Sequence, residues 1–186
     1  VKVLLLDNFD SFTYNLFHYL DALDCDVTVA RNNAVSIEEI AFFDKIVLSP
    51  GPGLPNEAGK MSEIISFYAS STPILGVCLG MQALGEYFGG KLYNQSIVKH
   101  GVAEKCKHNF ESKIFHKVPE IFEVGLYHSW AVNISKTKEL KATAYSENDI
   151  LMAFEHQTLP IYGVQFHPES LMTTDGKTIL QNFINI

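Results

Sequence analysis

Ile74-Leu75-Gly76-Val77-Cys78-Leu79-Gly80 joins a short apolar run to a helically periodic one, and the junction is a cysteine bracketed by glycines. Ile74–Val77 suits a strand buried on both faces, whereas Leu79–Phe88 has the apolar spacing of a helix that stops at Gly89-Gly90. A chain that passes from strand to helix within one residue needs glycines where backbones approach closely, and it leaves the apical side chain clear of the sheet edge. The Gly-x-Cys-x-Gly spacing therefore puts a thiol where a nucleophile would stand. A lone cysteine is more often core filler, so its meaning depends on the rest of the chain.

Upstream, Val3–Leu6 reads as another buried strand, ended by Asp7-Asn8. Asp10 or Ser11 is placed to cap a helix carrying Phe12, Leu16, Tyr19, Leu20 and Leu23, followed by a strand at Asp26–Ala30. Ser36 would cap a short helix to Phe43, with Glu38-Glu39 in its first turn, before the strand Lys45–Leu48. Ser49-Pro50-Gly51-Pro52-Gly53-Leu54-Pro55 has too many prolines for regular structure and enough glycine to bring backbone amides near a ligand. A helix over Ala58–Ala69 completes the alternation before Ile74.

Downstream, Lys91–Ala153 changes to short alternating pieces such as Gly125–Val132 and Lys141–Tyr145, which predict antiparallel edge strands. Ile161–Phe166 is a further apolar strand running into His167-Pro168-Glu169, and Gly176–Ile186 has helical periodicity. The order predicts an α/β fold: a doubly wound, open, mostly parallel sheet of flavodoxin-like type, with helices on both faces and an antiparallel edge extension. No linker interrupts it, so residues 1–186 are expected to form one domain.

A net charge of −7 and the absence of a Lys/Arg block disfavour a nucleic-acid footprint. No apolar run reaches the roughly 18 residues of a membrane span, and residues 1–8 lack a signal peptide's pattern. Cys25, Cys78 and Cys106 are an odd set without metal-ligand spacing, so a reducing cytoplasm is expected rather than a disulfide scaffold or zinc site. His100, His108 and His116 recur at eight-residue intervals without nearby Cys or Asp ligands, and no metal is assigned to them.

In an open parallel sheet, ligands sit outside the carboxyl ends of the strands. The loops after Leu48, Val77 and Phe166 should then share one edge. They would supply the Gly51 and Gly53 amides, the Cys78 thiol, and the His167 and Glu169 side chains. Cysteine chemistry uses a thiolate, which an adjacent imidazole and a helix N-terminus near Leu79 would both favour. His167 would act as base and Glu169 would orient its ring. The Gly51 and Leu79 N–H groups would be the oxyanion donors.

At these residues the chain resembles the class I, triad-type glutamine amidotransferases, most nearly the small subunits of anthranilate and aminodeoxychorismate (para-aminobenzoate) synthases. The ordered blocks are Leu6–Asn15, Ser49–Gly53, Gly76–Gly80 with Gln82, Tyr127-His128-Ser129 and Gly163–Ser170. The resemblance implies glutamine hydrolysis through a thioester at Cys78, with His167 and Glu169 completing the triad and Gly51 and Leu79 forming the oxyanion hole. Gly51, Gly53, Gln82, His128 and Ser129 would contact glutamine. No cofactor is implied. The implied partner is a chorismate-binding synthase large subunit, beside which part of Asp7–Asn15 would lie. Anthranilate synthase is the first expectation, with the aminodeoxychorismate enzyme or a subunit serving both as the alternative. Met81 stands where a histidine is frequent in the family, which predicts altered packing beneath the elbow or at the partner face. Without the resemblance, a thiol peptidase or a non-catalytic binding subunit would also accommodate these residues.

Overall fold

The computed structural model describes residues 1–186. Its organisation follows from strands whose successive side chains enter opposite cores. In β1 (Lys2–Asp7), Val3 and Leu5 belong to one buried cluster while Leu4 and Leu6 belong to the other. This is why its apolar run is continuous rather than alternating. After β1 come α1 (Thr13–Asp21), β2 (Asp26–Arg31), β3 (Lys45–Leu48), α2 (Met61–Tyr68), β4 (Ile74–Val77) and α3 (Leu79–Tyr87). The chain continues through β5 (Lys91–Asn94), β6 (Val102–His108), β7 (Ile121–Leu126), β8 (Trp130–Asn133), β9 (Leu140–Ser146), β10 (Leu151–His156), β11 (Ile161–Val164) and α4 (Gly176–Ile184).

Nine strands form one sheet in the order β2-β1-β3-β4-β11-β10-β9-β6-β7. The first five are parallel and the rest continue the sheet antiparallel. The cluster containing Leu16 and Leu20 of α1 and Ile179, Leu180 and Phe183 of α4 fills one face. Met61, Ile64 and Ile65 of α2 pack with Met81 and Leu84 of α3 on the other. The α/β sheet with an antiparallel extension is thus as expected, and the extension contributes four strands.

Several local boundaries differ from the sequence expectation. Neither Asp10 nor Ser11 is the α1 cap residue; Phe12 holds that position without a side-chain cap. The turn is organised from the end of β1 instead. The Thr13 hydroxyl donates to Asp7 Oδ1 at 2.9 Å, and the Phe12 N–H donates to Asp10 Oδ2 at 2.8 Å. The segment after Ser36 is a 3-10 turn, Glu38–Phe42, because Ser36 donates its hydroxyl to Glu38 Oε2 at 2.7 Å rather than capping an amide. α2 starts at Met61, not Ala58, since a 3-10 turn at Pro55–Glu57 and Gly59 at φ 51° precede it. Gly125–Val132 is not one strand. β7 pairs with β6 in the main sheet, β8 pairs with β5 in a separate ribbon, and Tyr127–Ser129 crosses between them.

The β4–α3 junction is the tightest point in the chain. A Cβ added to Gly76 would lie 2.5 Å from the Gly80 carbonyl, and one added to Gly80 would lie 2.6 Å from Leu48 Cβ and its carbonyl oxygen. These obstacles are mainly backbone, which cannot rotate aside. Gly76→Ala is therefore expected to lower unfolding free energy by about 2–3 kcal/mol in a urea titration. Gly89→Asn should stay within about 1 kcal/mol, because φ there is 89° with nothing within 4 Å of the added Cβ and Asn tolerates left-handed backbone.

Candidate active site

β3, β4 and β11 are adjacent and parallel, with Leu48 in register with Gly76 and Val164 in register with Val77. Their carboxyl ends bring the Ser49–Gly53 loop, Cys78 and the segment leading to His167 to one edge. Cys78 sits at φ 52°, ψ −102°, a conformation that costs a non-glycine residue on the order of 1–3 kcal/mol. Its own backbone is pinned by its N–H donating to Val164 O at 2.8 Å and by its carbonyl accepting from Gln82 N at 3.0 Å. The thiol is thereby fixed at the mouth of the β4–α3 turn, 6% exposed. Leu79 opens α3, so its amide is among those a helix leaves without an intrahelical acceptor.

Beyond Val164 the backbone leaves β4. The Gln165 N–H donates to Met152 O at 2.8 Å and the His167 N–H to Gly125 O at 3.0 Å, which swings the histidine across the sheet edge. The Thr173 hydroxyl donates to His167 O at 2.6 Å and accepts from Gly125 N at 3.0 Å, closing the corner. His167 Nδ1 donates to Glu169 Oε1 at 2.7 Å, with both residues at most 3% exposed. A carboxylate only accepts, so this contact fixes the proton on Nδ1 and turns Nε2 toward the site. Nε2 and Glu169 Oε2 are both buried without a hydrogen-bond partner within the chain.

Burial alone would pull the His167 pKa down. Hydrogen bonding and charge attraction from the Cys78 sulfur in its thiolate form, and from the Glu169 carboxylate, outweigh it and raise the pKa to about 10. The ring is enclosed by Tyr127, with centroids 4.8 Å apart, and by Phe12 at 5.6 Å, which also contacts Tyr127 at 5.0 Å. In the sequence Phe12 is one of the apolar positions of a helix and Tyr127 one residue of a short block. Only the fold brings the start of α1 and the β7–β8 crossing over the imidazole.

The other expected site residues are distributed unequally. Gly51 lies against the elbow, since a Cβ there would meet Leu79 Cδ2 at 2.9 Å, and its N–H makes no hydrogen bond within the chain. Gly53 is exposed in the turn at φ 73° and faces Glu57. Gln82 is buried in α3 rather than displayed on its surface. Its amide donates to Trp130 O at 2.9 Å and to Gln165 Oε1 at 3.1 Å, and Gln165 Nε2 in turn lies 3.5 Å from Cys78 Sγ. Gln165 lies in the Gly163–Ser170 block but receives no role from the sequence, because a glutamine at a strand end has none to read until the thiol beside it is located.

His128 and Ser129 lie in the β7–β8 crossing. Their carbonyls accept from Lys99 N and Gln95 N, leaving the Ser129 hydroxyl uncommitted. His128 Nδ1 donates to Trp130 O at 2.8 Å, and burial pushes its pKa down, which favours the neutral ring. Met81 is fully buried beneath the elbow, where a Cβ on Gly163 would meet its Cγ at 2.8 Å, so it is a packing residue and not part of an exposed face. Cys25 and Cys106 are buried free thiols within the apolar cluster that also holds Cys78. No helix is long and apolar enough to cross a membrane.

Strained cysteine, carboxylate-oriented histidine and amide-bearing loop bring together groups that acyl-transfer chemistry uses. Anthranilate synthase component 2 of Pyropia yezoensis is 42% identical over 186 residues, covering 98% of each chain. Aminodeoxychorismate synthase component 2 of Escherichia coli is 41% identical, covering 98% of this chain and 99% of its own. The bifunctional protein TrpGD of Thermotoga maritima is 41% identical, and the chain spans 32% of that longer relative. Among solved structures, a Thermoplasma acidophilum protein provisionally described as belonging to GMP synthase superposes with TM-score 0.90 at 28% identity, covering 100% of this chain and 92% of its own. The family model for glutamine amidotransferase class-I matches residues 4–186. The chain belongs to the class-I glutamine amidotransferase family.

Proposed function

We propose that this chain, acting as one unit over residues 1–186, hydrolyses L-glutamine through a Cys78 thioester and passes the ammonia to a chorismate-using synthase subunit. The observation that carries the chemistry is the buried His167–Glu169 pair, with its free Nε2 at the strand edge that presents Cys78. In the first half-reaction the Cys78 thiolate, its proton held on His167, bonds through sulfur to the carboxamide carbon as the carbonyl π bond breaks, and the carbonyl oxygen becomes an oxyanion facing the Gly51 and Leu79 amides. Collapse of this adduct expels the nitrogen, which takes a proton from His167 and leaves as ammonia. A pKa of about 10 keeps His167 protonated at neutral pH, so the donor is charged and in place before the carbon–nitrogen bond breaks. In the second half-reaction His167 accepts a proton from water as the water attacks the thioester, releasing glutamate and restoring Cys78.

Gly53, Gln82, His128 and Ser129 complete the glutamine site in this reading. Gln82 acts by bracing Trp130 and Gln165, and Ser129 contributes its hydroxyl. The names of the relatives support a synthase partner, and anthranilate synthase is the first choice because several full-length relatives carry that name. The aminodeoxychorismate relative matches almost equally well, so a subunit serving either enzyme is the alternative. The small subunit releases ammonia and does not choose the ring position aminated. Leu171, 95% exposed, lies beside a groove of about 500 Å³ lined also by Phe12, Tyr127 and Glu169. That combination of apolar surface and triad residue suits a large subunit docked over the site.

Cys78→Ala is expected to abolish glutamine-dependent product formation by the reconstituted complex while leaving ammonia-dependent formation intact. Retention of glutamine-dependent activity would favour a non-catalytic subunit, and identification of the aromatic product would choose between the two synthases.

Glu169→Gln removes a charge and a hydrogen bond that hold the His167 pKa up, so its titration, followed by NMR of the imidazole, should move down from about 10. The same raised pKa contributes native-state stability that is complete below the reference value of 6.5 and is lost as pH rises through about 10. That alkaline loss of stability should be smaller in Glu169→Gln, as read from urea midpoints at pH 6 and at higher pH.

A further inference from the structure

We infer that Asn8, outside the triad and the glutamine contacts, is a positioning residue for the oxyanion loop. This rests on the glutaminase reading above. The β1–β3 ladder ends at Leu6↔Leu48, with one more bond from Ser49 N to Leu6 O at 3.0 Å. Past that point Pro50 and Pro52 have no N–H, so the loop cannot extend the ladder or secure itself through those residues. Asn8 takes over from the facing strand end. Its side-chain amide donates to Ser49 O at 2.8 Å, and its backbone N–H donates to Ser49 Oγ at 2.9 Å. The Ser49 hydroxyl in turn donates to Pro50 O at 2.7 Å.

The loop also lies directly on Asn8, since a Cβ on Gly51 would fall 2.7 Å from both Asn8 Cβ and Asn8 O. Gly51 N–H has no hydrogen bond within the chain to aim it. Its direction is therefore set by where Asn8 holds Ser49 and Pro50. Asn8 is itself immobilised: Oδ1 accepts from Asn32 Nδ2 at 3.0 Å, and its amide also reaches Met61 Sδ at 3.3 Å. Asn8, Asn32 and Ser49 are all at most 4% exposed. Because Ser49 O can only accept, the amide orientation of Asn8 is determined by the network.

The test measures glutamine hydrolysis by the full chain with its synthase partner, together with alkylation of Cys78 by iodoacetamide, which forms no oxyanion. Displacing a catalytic donor by about 1 Å costs on the order of 100-fold. Asn8→Ala should accordingly lower kcat about 10- to 100-fold, with KM and the alkylation rate within about twofold of wild type. Asn182→Ala is the structural control. It removes bonds of 2.9 and 2.7 Å to Ile114 O and His116 O away from the site, and should lower the melting temperature without changing kcat. Unchanged kcat in folded Asn8→Ala, or an equal fall in alkylation rate, overturns the assignment. If Asn8→Ala does not fold, Asn32→Ala carries the test with an expected kcat loss of about 3- to 10-fold, and unchanged kcat there overturns it. Absence of Cys78-dependent glutamine hydrolysis in the wild-type complex overturns the underlying glutaminase reading, and this inference with it.

Discussion

The backbone of Cys78 can hold φ 52° only because the strand before it and the helix after it are each fixed independently. β4 is paired on both sides, by β3 and β11, while α3 is packed through Met81 and Leu84 into one core. The crossing is so close that neither Gly76 nor Gly80 has room for a methyl group. Burial on both faces of the sheet thus sustains a local conformation that an isolated peptide would leave at once. The position of the thiol, the opening amide of α3 and the lie of the Gly51 loop against Leu79 all follow from that junction.

The second dependence is electrostatic. A histidine and a glutamate, both nearly inaccessible, would be a costly pair to bury without mutual support. Their contact is supported by the Thr173 corner, by the aromatic rings of Tyr127 and Phe12, and by the Cys78 thiol on the other side. The result is an imidazole whose ring orientation is fixed and whose proton is retained at neutral pH. Its unpartnered Nε2 marks the one direction in which the charge can act. Side-chain geometry and backbone geometry are joined here, since His167 reaches its place only when the chain leaves β4 to hydrogen-bond Gly125.

Much of the parallel half was legible because strands buried on both faces leave unbroken apolar runs and helices buried on one face leave periodic ones. The antiparallel half was legible only as a change of pattern. Its strands are short and partly exposed, and their pairing spans long sequence separations, as between β6 and β9. Helix starts were misplaced where side chains bonded each other instead of capping amides, as at Ser36, or where an aspartate from the preceding strand shaped the turn, as at Asp7. Gln165 and Phe12 fall within blocks that carry the resemblance but receive no role from them, because their relation to Cys78 and His167 exists only once three strand ends and the start of α1 have been brought together.

Sequence alone determined that a cysteine stands at a glycine-flanked strand-to-helix turn, and that a proline-glycine loop and a His-Pro-Glu segment end two other apolar strands. These features are local, set by steric allowance and by the hydrophobic period, so they can be read in order along the chain. Tertiary structure decided that those three strands are neighbours, that Gln82 donates to Trp130 and Gln165, and that the Ser49–Gly53 loop rests on Asn8. Such contacts join residues tens of positions apart. They are fixed by the sheet order and by the requirement that buried polar groups find partners, neither of which is expressed in the residues near any one of them.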